Sequence, residues 1–132
     1  MKLDILYKVL LCFLVVLSLT SCGQPSSNND PAEAISAYLL ALVHKDVNQM
    51  INRSCAAWEA QAQQEFDSFA AVTANLNQVN CQVTGQEGDT RLVTCTGKII
   101  ANYGNEVLEI NLGDRTYQVI NEGGEWRMCG YR

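Results

Sequence analysis

Apolar residues in this chain follow three different rules along its length. Val9 to Leu17 is a continuous apolar run with Cys12 inside it. From residue 31 to about 76 the apolar positions recur at helical spacing. Asp30-Pro31-Ala32-Glu33 is a helix start, with Asp as the N-cap, Pro in the first turn and Glu placed to reach back. Ile35, Tyr38, Leu39, Leu42 and Val43 then mark one helical face. Asp46 caps a short second helix that turns Val47, Met50 and Ile51 inward. A third helix is predicted from about Ala56 to Leu76, with Trp58, Ala62, Phe66, Phe69 and Leu76 near one stripe. Its other side is rich in Gln, Glu and Asp and should face water.

From Val79 onward the period is two. Val79, Cys81 and Val83 alternate with polar residues, Gly85-Gln86-Glu87-Gly88-Asp89 supplies a turn, and Val93, Cys95, Ile99, Ala101 and Tyr103 resume the alternation. Asn102-Tyr103-Gly104-Asn105 reads as a further turn. The phase then flips, because Leu108, Ile110 and Leu112 are even-numbered whereas Tyr117 and Val119 are odd. A two-residue hairpin turn at Gly113-Asp114 restores a shared face, and so does a bulge in one long bent strand. Glu122-Gly123-Gly124-Glu125 turns the chain into a closing strand, Trp126 to Tyr131. Helices first and strands afterwards predict an α+β domain: three N-terminal helices packed on an antiparallel sheet of four to five strands.

The first segment has a different job. Lys2 and Lys8 precede the apolar run, which is too short for the ~20 residues of a membrane-spanning helix. That pattern is a secretory signal. It ends in Leu19-Thr20-Ser21-Cys22-Gly23, which resembles the lipobox of bacterial lipoproteins. The resemblance implies diacylglycerol on the Cys22 thiol, removal of residues 1–21, and a membrane anchor at the new amino terminus. Residues 22–30 read as a flexible tether and 31–132 as one domain. Gly23, in place of Asp after the lipidated cysteine, points to the outer membrane where the cell has one, and to the cell surface otherwise.

Export changes the reading of the cysteines. Cys12 leaves with the signal and Cys22 carries lipid, so Cys55, Cys81, Cys95 and Cys129 remain as an even set in a small exported domain. Two disulfides are expected. A hairpin centred on Gly88 sets Cys81 opposite Cys95, within disulfide reach. Cys55 and Cys129 then pair by elimination. Closely spaced Cys pairs are lacking, so no zinc or other metal is expected. Loss of residues 1–21 leaves 7 basic and 13 acidic residues, a formal charge of −6, which argues against nucleic acid as a partner.

The order of elements resembles the nuclear-transport-factor-2-like superfamily over roughly Pro31 to Tyr131. The likeness rests on the opening helix Pro31-Ala32-Glu33-Ala34-Ile35-Ser36-Ala37-Tyr38, the short helix at Lys45-Asp46, and the ending Gly123-Gly124-Glu125-Trp126-Arg127-Met128. It implies a curved sheet closing with the helices into a cone. Some members are enzymes, such as ketosteroid isomerases and polyketide cyclases, and many are binding or assembly domains. The enzymes place an Asp or His base and a Tyr or acid partner inside the cone, and no motif here carries such a base over.

Candidate chemistry is correspondingly thin. His44 stands at the end of helix one, where a cation is stabilised, and no G-x-S-x-G motif accompanies it. Tyr38, Trp58, Phe66, Phe69, Tyr117 and Trp126 could line an apolar pocket. Glu106, Glu109, Asp114, Glu122 and Glu125 are acidic without calcium-loop spacing. The expectation is a domain without enzymatic activity or cofactor, binding a small apolar ligand or an envelope protein. A small cavity enzyme of the isomerase or cyclase type is the alternative.

Overall fold

A computed structural model describes residues 30–132. The signal segment, the lipobox with Cys22 and most of the tether lie outside the described residues. Helix α1 spans Pro31–His44, α2 Val47–Asn52 and α3 Glu59–Phe69. Strands β1 (Thr73–Glu87), β2 (Thr90–Tyr103), β3 (Glu106–Asn111), β4 (Thr116–Glu122) and β5 (Glu125–Tyr131) follow. The domain is α+β, with three helices and one five-stranded antiparallel sheet.

Local chemistry accounts for the helix ends. The Asp30 carboxylate accepts from Ala32 N at 2.9 Å, and the Asp46 carboxylate from Gln49 N at 3.0 Å. Lys45 closes α1 in the left-handed conformation, and its Nζ donates to Ala70 O at 2.9 Å, tying the end of α1 to the end of α3. Helix α1 lies across β1, β2, β4 and β5. Its Ile35, Tyr38, Leu39 and Leu42 are buried against Val93, Ile99, Tyr117, Val119 and Met128 of the sheet. Each such apolar side chain contributes roughly 1.5–3 kcal/mol when fully buried.

Helix α3 is shorter than its apolar stripe predicts. It stops at Phe69, and Leu76 lies in β1, paired with Ile99 of β2. Residues Thr73 to Asn77 satisfy a period of two as well as the tail of a helical one. Asn75 and Asn77 are poor helix formers, and the partner strand decides the contest. The β1–β2 hairpin turns at Gly88-Asp89, with Cys81 opposite Cys95 and Val83 opposite Val93. Two irregularities bend it, between Asn77 and Asn80 and between Val83 and Gly85. At the first, Gly97 has a φ of +90°, and a Cβ there would come within 2.5 Å of the Gln78 carbonyl oxygen. Only glycine fits.

The ambiguity around Gly113 resolves toward the bent strand. Strands β3 and β4 do not pair with each other. Both pair with β2, β3 through Lys98–Tyr103 and β4 through Arg91–Thr94. A 3₁₀ turn, Leu112–Asp114, joins them and shifts the register by one residue, which is why the apolar phase flips. Tyr117 therefore faces Val93 of β2. Strand β3 gets little cover from the helices, so Leu108, expected on the inward face, is 48% exposed beside Val107 at 63%.

Disulfides join Cys55 to Cys129 and Cys81 to Cys95. The segment around Cys55 runs along β5: Met128 N donates to Arg53 O at 2.7 Å, and Cys55 N to Met128 O at 2.8 Å. Ser54 is fully buried there, its hydroxyl donating to Met50 O. This places Trp58, at the start of α3, over the end of β5. The disulfides fit a chain that folds in an oxidising compartment. Among the described residues no helix is long and apolar enough to cross a membrane.

Candidate functional site

Two helices and the sheet converge on one cavity of about 160 Å³. Helix α1 supplies Tyr38, Leu39 and Leu42, α3 supplies Glu65, Ser68 and Phe69, the strands supply Ile99, Ile110, Tyr117 and Tyr131, and Arg115 enters just before β4. One part of the wall is hydrocarbon. The other is a polar group made of a carboxylate, a guanidinium and three phenols.

The polar groups are ordered. Trp58 Nε1 donates to the Tyr38 hydroxyl at 3.3 Å, and that hydroxyl donates to Glu65 Oε2 at 2.6 Å. Tyr131 lies edge-on to both Trp58 and Tyr117, with ring centres 5.5 and 6.1 Å away. The Arg115 guanidinium carbon sits 4.5 Å from the Tyr131 ring centre, a cation–π contact. Reciprocal backbone hydrogen bonds between Thr116 and Arg132 hold this end of β5 against β4.

Two groups in the cavity have chemistry to spare. The Tyr117 side chain is 1% exposed, and no group of the described residues hydrogen-bonds its hydroxyl. Arg115 has no carboxylate within ion-pair distance among the described residues. Burial pushes the Tyr117 phenol up to about 12, and the neighbouring Arg115 opposes the rise. Burial also raises Tyr38 well above the ordinary tyrosine range, reinforced by the Glu65 charge and by the hydrogen bond to it. Tyr131 is raised by burial and by Glu65. All three phenols are therefore protonated at neutral pH, and Tyr38 donates to Glu65.

Of the six aromatic residues expected to line a pocket, Tyr38, Phe69 and Tyr117 do so. Trp58, Phe66 and Trp126 are not among the residues that line this cavity. Trp58 stands behind Tyr38 and holds its hydroxyl, and Phe66 packs against the core. Trp126 faces a separate shallow recess, with the Arg91 guanidinium carbon 5.4 Å from its ring centre. His44 is the exposed last residue of α1. The C-terminal acids are dispersed: Glu109 pairs with Lys98, Glu125 pairs with Arg127, and Glu122 accepts from Ala56 N. No cluster of three potential metal ligands occurs among the described residues.

Glu65, Arg115 and Tyr131 belong to the cavity although the sequence pattern does not single them out. Two of them leave a trace in the spacing. Glu65 lies three residues after the buried Ala62 and four before Phe69, on the stripe rather than on the wet face. Arg115 precedes Tyr117 by two residues and so shares its face of the strand.

In fold the chain is similar to several solved structures, one of them of the nuclear-transport-factor-2-like family. A proposed aromatic ring hydroxylase from Novosphingobium aromaticivorans superposes with a TM-score of 0.57 at 17% identity, over 75% of this chain and 81% of that one. A proposed dehydratase of the nuclear-transport-factor-2-like family from Streptomyces avermitilis gives 0.51 at 16%, over 75% and 88%. A SEC-C-motif-containing protein from Rhodopseudomonas palustris gives 0.56 at 12%, over 80% of each. At these identities the likeness is one of fold. No protein-family model matches the chain, nor does any curated protein.

Proposed function

We propose that this chain is a lipoprotein, anchored in the cell envelope through Cys22, whose domain binds a small molecule in the cavity between α1, α3 and the sheet without transforming it. The observation that carries the binding reading is the Tyr117 hydroxyl. A buried polar group without a partner costs ~1–3 kcal/mol, and here it belongs to a side chain that lines a cavity. A ligand that hydrogen-bonds it recovers that cost on binding. The volume is right for a small ligand, since a cavity of ~150 Å³ lined by apolar side chains accommodates benzene. The lipobox resemblance and the two disulfides support the address.

A small enzyme of the isomerase or cyclase type is the second reading. It is favoured by the half-buried Glu65 carboxylate beside Tyr38 within the cavity. Binding alone is preferred because Glu65 Oε2 already accepts the Tyr38 proton, and the three phenols are held protonated. The test uses Ser68→Trp, which adds an indole at the cavity wall from an exposed helix position. One-ring fragments screened by saturation-transfer NMR should bind the wild-type chain and lose their signals on the variant. Equal signals on both proteins would place binding elsewhere, and none on either would end the reading.

A further inference from the structure

The two uncommitted groups of the cavity stand two residues apart in extended chain at the start of β4. Arg115, in extended chain just before β4, and Tyr117 both line the cavity, Arg115 is in no ion pair among the described residues, and the Tyr117 hydroxyl has no hydrogen-bond partner within them. The Arg115 guanidinium is braced on the Tyr131 ring, which fixes its place without consuming its N–H donors. A planar fork of N–H donors beside a phenol O–H is complementary to a carboxylate, which accepts from both. The cavity is otherwise lined largely by hydrocarbon: Leu39, Leu42, Phe69, Ile99 and Ile110. We infer that the cavity selects small monocarboxylic acids with an apolar body about the size of one ring, the carboxylate held by Arg115 and Tyr117.

This assignment rests on the binding reading above and adds the ligand's charge and orientation. Glu65 bears on the same choice from within the polar part of the wall. Its Oε2 already accepts from the Tyr38 hydroxyl, which leaves the Arg115 guanidinium as the group to meet an incoming anion. One guanidinium and one opposing carboxylate suit a single negative charge. A phosphate or a dicarboxylate would leave charge against Glu65 or against the hydrocarbon wall. A cationic ligand would need Glu65 to give up Tyr38 and would leave Arg115 facing a like charge.

The experiment is calorimetric titration of the full chain in detergent micelles with benzoate, benzyl alcohol and benzylamine, which share a ring and differ in charge. Benzoate should bind at least ~10-fold more tightly than either of the others, the ratio expected when a charge-assisted hydrogen bond decides. Arg115→Gln should remove that preference, Arg115→Lys should restore part of it, and Tyr117→Phe should weaken benzoate several-fold. Glu65→Gln should leave benzoate binding equal or tighter. Thermal melts of each variant separate loss of binding from loss of fold. Preference for benzylamine, or for benzyl alcohol, would overturn the carboxylate assignment while leaving a binding cavity in place. So would unchanged benzoate affinity in a folded Arg115→Gln protein. Absence of binding by all three probes would overturn both the assignment and the cavity reading beneath it.

Discussion

Tyr117 is the residue on which most of the site turns, and its hydroxyl has two measurable consequences. An unfolded tyrosine ionises near 10, whereas burial holds Tyr117 up to about 12 and raises Tyr38 as well. The folded chain thus keeps protons that the unfolded chain releases. The stability contributed by these phenols is complete below pH ~10 and is lost as the pH rises through the folded values. Tyr117→Phe removes its share of that loss and also removes an unsatisfied polar group. In alkaline titrations followed by circular dichroism, the variant should unfold at higher pH than the wild type. At pH 7 its stability should be unchanged or up by about 1 kcal/mol. An alkaline midpoint that falls, or a loss above ~1 kcal/mol at neutral pH, would mean that the hydroxyl has a partner in the folded chain. The inward face of Tyr38 was legible from helical spacing alone. Its partner Glu65 was not, because Gln63, Gln64 and Glu65 together read as the solvated side of α3. Polarity masked the one member of that run that lies toward the apolar stripe.

The elements were most legible where a local signal and the tertiary partner agree. Asp30-Pro31 and Asp46 start helices because their carboxylates bond the free N–H groups of the first turn, a decision made within four residues. The opposition of Cys81 and Cys95 survives because the bulge between Val83 and Gly85 lies between it and the turn. The length of α3 and the β3–β4 junction were not legible in the same way. Both depend on which strand β2 accepts as a neighbour, and the chain near those residues suits two periods equally well. The two disulfides have unequal spans. Cys81–Cys95 closes a separation of 14 residues and Cys55–Cys129 one of 74. Loop-closure entropy then assigns about 3 kcal/mol to the first and about 4 kcal/mol to the second. Urea unfolding of the Cys81→Ser/Cys95→Ser and Cys55→Ser/Cys129→Ser proteins should show the second pair as the costlier. It should also cost more in fragment binding, because it pins the segment that leads into Trp58 and α3. A larger loss from the hairpin pair would place the stabilisation in local hairpin order instead.

At the scale of the whole molecule, the order of helices and strands, the closing Gly-Gly-Glu-Trp strand and the count of cysteines made the architecture readable. The cavity was readable only in outline. A cavity is a shape left between elements, and its volume depends on how α1, α3 and β4 meet rather than on the pattern within any of them. The address stands on Leu19 to Gly23, upstream of the described residues, and the rest of the proposal depends on it. An anchored envelope domain meets an oxidising compartment, keeps Cys22 out of the disulfides, and has ligands of that compartment to bind. The most direct measurement is metabolic labelling of the expressed precursor with a clickable palmitate analogue, comparing wild type with Cys22→Ser. Label on the wild type alone, with the signal segment retained on the variant, is the expected result. Label on both proteins, or on neither, would contradict the anchor and return Cys22 to the pool of cysteines available for pairing.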